Sequence, residues 1–102
     1  MKQVKKYIAI GHWGKDKDAT YSVATTGYSL KDARRDYVNN DFVAYVIISE
    51  ERLNQIKGKS YSEICDEVMK MTKNYRRWEI IVDYLNQCMD IMEDHLANVC
   101  MD

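Results

Sequence analysis

Proline is absent from this chain of 102 residues, and glycine occurs only four times. No Pro-rich or Gly/Ser-rich stretch reads as an interdomain linker, and the length fits one domain. Gly11, Gly14, Gly27 and Gly58 are too scattered to form a phosphate-binding loop. Cysteine is sparse and odd in number (Cys65, Cys88, Cys100), which argues against a disulfide framework and for reduced thiols. No apolar run approaches the roughly 18–20 residues of a membrane span. The longest, Phe42 to Ile48, is strand-sized. The lysine-rich start, Met1 to Lys6, is not followed by an apolar core and a small-residue cleavage site. It does not read as a secretory signal, so the cytoplasm is the expected compartment. There is no repeat and no low-complexity segment.

What is present is globular. Hydrophobic residues make up 46% and charged residues 30%, enough apolar material for a real core. A domain of this size buries about two-thirds of the surface its unfolded chain exposes. The net charge of -1 hides a segregated pattern. Lys2, Lys5, Lys6, Lys15 and Lys17 make the start basic, and Lys70, Lys73, Arg76 and Arg77 form a second basic run. Beyond residue 77 come Glu79, Asp83, Asp90, Glu93, Asp94 and Asp102, with no Lys or Arg. Such polarity favours a directed electrostatic partner or self-complementary pairing over a uniformly basic nucleic-acid binder.

Residues 4–13 predict a strand, with Lys6, Ile8 and Ile10 on one face and Tyr7, Ala9 and Gly11 on the other. Residues 14–18 form a polar turn, and the β-branched and aromatic stretch 20–28 is the second arm of a hairpin. Ser29 caps a helix carrying Leu30, Ala33, Tyr37 and Val38 on one face, which Asn39-Asn40-Asp41 stops. Residues 42–48 predict a third strand, apolar on both sides and so central or covered on both faces. Ser49 starts a second helix that ends at Gly58. Ser60-Tyr61-Ser62-Glu63 is a capping box before a third helix. In the last helix Trp78, Ile81, Leu85, Cys88, Met92, His95 and Val99 recur at spacings of three and four, a heptad seam. The expected assembly is α+β: a three-stranded ββαβ sheet of order 2-1-3, reached by a right-handed crossover. Helices lie on one face, and a long C-terminal helix completes a ββαβααα order.

No catalytic or metal-binding motif stands out, and no cofactor is expected. His12 sits at a strand end with no acid or nucleophile tied to it by spacing, so it reads as structural or solvent-facing, and Trp13 as a packing residue. Cys88 and His95 lie about 10 Å apart along a helix axis, too far for one zinc ion. Cys65 is flanked by acids that disfavour a reactive thiolate. The eight tyrosines and the methionines Met69, Met71, Met89, Met92 and Met101 suit either a core or an adaptable contact surface.

The first reading is therefore a non-enzymatic binding or regulatory module acting through protein contacts. The seam residues Trp78, Ile81, Leu85, Cys88, Met92, His95 and Val99 are its expected partner or homodimer face. The alternative reading is a nucleic-acid-associated protein. There Lys70, Lys73, Arg76 and Arg77 contact phosphate and Tyr75 stacks, with Lys2, Lys5, Lys6, Arg34 and Arg35 as extensions.

Lys6 to Gly11, Ser29 to Arg34 and Tyr45 to Glu50 together resemble stretches of small accessory proteins of Gram-positive gut bacteria and their mobile elements. The resemblance covers about half the chain and rests on a strand, a helix cap and another strand. It implies no activity and transfers no site residue, but it favours an accessory or phage-encoded protein that acts by binding.

Overall fold

Alternating β-branched and aromatic residues build strands β1 (Lys5–Trp13) and β2 (Tyr21–Gly27). The structure is a computed structural model that describes residues 3–100, so Lys2 and Met101 lie outside the described residues. Helix α1 (Leu30–Asn39) leads to β3 (Phe42–Ser49). Then follow α2 (Glu50–Ile56), α3 (Tyr61–Met71), α4 (Tyr75–Gln87) and α5 (Met89–Asn98). The fold is α+β, and the sheet order is β2-β1-β3. Both outer strands pair antiparallel with β1, so β2 and β3 run parallel to each other with α1 connecting them. None of the described helices is long and apolar enough to cross a membrane.

The helix starts follow from their caps. Ser29 Oγ accepts from Asp32 N, Ser49 Oγ from Arg52 N, and Ser60 Oγ from Glu63 N while Glu63 Oε1 accepts from Ser60 N. Asn74 Oδ1 accepts from Arg77 N at 3.1 Å and starts α4. At the end of α1 the left-handed residue is Asp41, with φ 60°, and not either of the asparagines before it. Asn40 instead turns its side-chain amide back to the Asp36 carbonyl.

Two expectations need correction. The helices do not share one face. Tyr7 and Ala9 on one side of β1 pack with Ala33 and Tyr37 of α1, while Ile8 and Ile10 on the other side pack with α2 to α5. A central strand that is apolar on both faces requires both to be covered. The third strand lies at the sheet edge, as the order 2-1-3 requires, and apolar neighbours cover both of its faces, the second of the two placements expected for it.

The second correction concerns the long C-terminal helix, which is two helices meeting at Cys88 (φ -121°, ψ 23°). A straight helix over the same residues would run about 36 Å, longer than a nine-residue strand of about 30 Å. Breaking at Cys88 lets both halves lie on the core. Ile81, Val82 and Leu85 come from α4, and Met92 and Leu96 from α5. The heptad seam is thus used inside the chain: Ile81, Leu85 and Met92 are buried and cannot meet a partner unless the fold opens. Trp78, Cys88, His95 and Val99 are partly covered by the same packing.

Tyr37 is buried under α1 and donates its phenol hydrogen to the Val23 carbonyl. Burial, with a smaller contribution from Asp36, holds its pKa well above the usual tyrosine range.

Three outcomes follow from this packing. Ile81→Ala should cost about 2–5 kcal/mol by leaving a cavity, read as a lowered urea midpoint. The wild-type melting temperature should not change with protein concentration, as an internal seam requires. For Tyr37, the folded state keeps a proton that the unfolded chain releases near pH 10, so its contribution is present below that pH and lost above it. Tyr37→Phe should lose about 1 kcal/mol at neutral pH and flatten the alkaline fall in stability.

Candidate functional site

Ile10 of β1 pairs with Val46, but the next residue, Gly11, pairs with Ala44, so Tyr45 is the extra residue of a β-bulge. Gly11 makes this possible. A Cβ at position 11 would overlap the Val43 carbonyl and crowd Ala44 Cα. The bulge lets Tyr45 share a face with His12, and the two rings meet edge-on at 5.6 Å between centroids. The Arg77 guanidinium lies over the Tyr45 ring at 4.9 Å, a cation–π contact.

His12 is 9% exposed. Its Nδ1–H donates to the Trp13 carbonyl at 2.7 Å, since a carbonyl can only accept. That leaves Nε2 free, and His12 makes no other side-chain hydrogen bond among the described residues. The ring forms part of the wall of a depression of about 320 Å³ whose other walls include Lys17, Thr20, Asn74, Arg76 and Arg77. Asp18 is the one acid there. The turn after β1 is held against α4 because Tyr84 donates its phenol hydrogen to the Thr20 carbonyl. Lys17 is therefore brought beside Arg76 and Arg77 from nearly sixty residues away in sequence.

The electrostatics favour an anion. α1, α2, α3 and α5 each carry an acid in the first turn, whereas α4 carries Arg76 and Arg77 there and no acid. Cations at a helix N-terminus oppose the helix dipole, so both contribute positive potential at the same place. Lys17, Lys73, Arg76 and Arg77 take part in no ion pair among the described residues.

The basic run is split by the fold. Arg76 and Arg77 face the depression, while Lys73 and Tyr75 border a second hollow on the other flank of α4. Lys70 stands apart on α3, 3.7 Å from Glu67. Trp78, read from sequence as a seam residue, stacks on Tyr75 with centroids 5.6 Å apart and planes 20° from parallel. The proposed extensions do not join the site. Lys5 and Lys6 line a hollow near the ends of β1 and β3, and Arg34 and Arg35 belong to α1 on the opposite face of the sheet.

Other candidates resolve without a site. Cys88 is the junction residue that caps both α4 and α5, His95 lies near the other end of α5, and no cluster of metal-ligating residues occurs among the described residues. His95 Nδ1 instead lies 2.9 Å from Ser22 Oγ, tying α5 to β2. Cys65 accepts a hydrogen bond at its backbone carbonyl from Trp78 Nε1 at 3.2 Å. Sequence reading missed Lys17, Tyr45 and the role of His12. The only local signal for them was Gly11 beside a histidine in a strand, which marks a close backbone approach.

No protein-family model, no curated protein and no solved structure matches this chain.

Gly11→Ala should force the Val43 carbonyl away and strain the bulge. The expected loss is about 1–3 kcal/mol, measured as a lower urea midpoint at unchanged slope.

Proposed function

We propose that this protein is a non-enzymatic binding module whose ligand is a phosphate-bearing polyanion, a nucleic-acid strand. The observation that carries this reading is the convergence of Lys17, Arg76 and Arg77 on one depression. Phosphate oxygens accept hydrogen bonds only, and Lys17, Thr20, Asn74, Arg76 and Arg77 around the depression can donate. Arginine suits this role because its planar fork meets two phosphate oxygens at once. Binding fits better than catalysis because the depression sets donors and aromatic rings around a site, and no hydrogen bond among the described residues joins Asp18 to His12 as an acid–base pair. The seam of α4 and α5, being spent on the core, leaves this corner as the best-equipped contact surface.

The expected behaviour is salt-dependent binding. A fluorescein-labelled oligonucleotide should lose affinity steeply as salt rises, because neutralised phosphates release counterions. Arg76→Gln with Arg77→Gln should weaken binding at least about tenfold and reduce the slope of log affinity against log salt by about two. Unchanged affinity and slope in that double variant would refute the reading.

A further inference from the structure

Beside the cationic depression lies a second hollow of about 400 Å³, lined by Met69, Thr72, Lys73, Asn74, Tyr75 and Trp78. Asn74 borders both, so the two meet at the first turn of α4. Tyr75 is 70% exposed, a large apolar ring left in water. It is nonetheless held in place: one ring face stacks on Trp78, and Trp78 is anchored to the Cys65 carbonyl. A fixed aromatic with one face open offers stacking area at little cost in side-chain entropy. Met69, 63% exposed, adds a polarizable apolar wall to the same hollow.

Tyr75 and Arg76 are consecutive, so a stacking face and a phosphate-binding group sit on two flanks of one turn, within about 5.4 Å of axial rise. The Glu79 carboxylate lies beside the Tyr75 phenol and raises its pKa. On that flank Glu79 offsets the one cation, Lys73, whereas the other side sets Lys17, Arg76 and Arg77 against Asp18 alone, so the phosphates fall to the arginine side. In a duplex the base faces are already stacked on each other and closed to a protein ring. We infer that the ligand is taken as a single strand, with one base on the open face of Tyr75 and its phosphates in the depression of His12, Lys17, Arg76 and Arg77. This inference rests on the polyanion reading above and adds the state of the strand and the group that selects it.

The test measures, by fluorescence polarization at fixed salt, affinities for four probes. These are a 12-nucleotide DNA strand, the RNA of the same sequence, the DNA duplex, and heparin, a polyanion without bases. Both single strands should bind at least about tenfold tighter than duplex and heparin, and DNA against RNA shows which backbone is preferred. Tyr75→Ala should cost the single strands about tenfold or more, as loss of one stacked base does, and leave heparin unchanged. Tyr75→Phe keeps the ring and should restore single-strand binding to within about twofold; circular dichroism confirms that each variant is folded. Equal binding of duplex, heparin and single strand, insensitive to Tyr75→Ala, would overturn the stacking inference and leave the polyanion reading intact. Arginine-dependent binding of polyglutamate with none of any nucleic acid would overturn both.

Discussion

The carbonyl of Val43 lies where a side chain on residue 11 would have to be, and only glycine lets the two strands approach this closely. That contact shifts the pairing of β1 with β3 by one residue. Without the shift, Tyr45 would occupy a paired position and alternate with its neighbours across the sheet. With it, Ala44 and Phe42 still face α1, while Tyr45 joins Val46 and Ile48 on the side of the other helices. One glycine thus serves both layers. It keeps the α1 face apolar, and it supplies the ring on which Arg77 rests.

The placement of the cations depends on a second set of tethers. Tyr84 of α4 holds the Thr20 carbonyl, and Ser22 of β2 holds His95 of α5. These bonds join the hairpin to the C-terminal helices at points far apart in sequence. They bring Lys17, in the turn after β1, against the basic start of α4, although like charges repel there. A helix start with two arginines and no acid breaks the local rule that the other four helices follow. Local rules are broken most often where function requires it, since the rest of the fold must carry the cost.

The sequence made much of the scaffold legible because its signals are local. Ser29, Ser49 and Ser60 announce their helices by cap chemistry that involves only the next three residues. The alternation in residues 4–13 marks a strand, and the order 2-1-3 follows from a hairpin plus one crossover. What it hid was non-local. Nothing near Cys88 breaks a helix: there is no Pro and no Gly, and the break follows from the length of the sheet beneath. Whether α1 joins the other helices or takes the opposite face depends on how a doubly apolar β1 is covered. The bulge at Tyr45 is a property of two strands together. So the candidate site was half legible: its arginines and Tyr75 stood out as a basic run, while His12, Lys17 and Tyr45 were visible only once the strands were paired.

The heptad seam shows why periodicity alone could not place the contact surface. Spacings of three and four state that one stripe of a helix avoids water, and a sheet satisfies that as well as another helix does. Here Ile81, Leu85 and Met92 are satisfied by Ile8, Ile10 and Ile48 within the same core. The side chains left over at the start of α4 are of another kind. Tyr75 keeps an open ring face, and Arg76 and Arg77 keep charges that no carboxylate among the described residues pairs with. Within the fold Arg77 meets only the Tyr45 ring, and Tyr75 gives Trp78 one ring face and keeps the other in water. A ligand with alternating anionic and flat apolar groups would satisfy both at once, and a nucleic-acid strand alternates in that way.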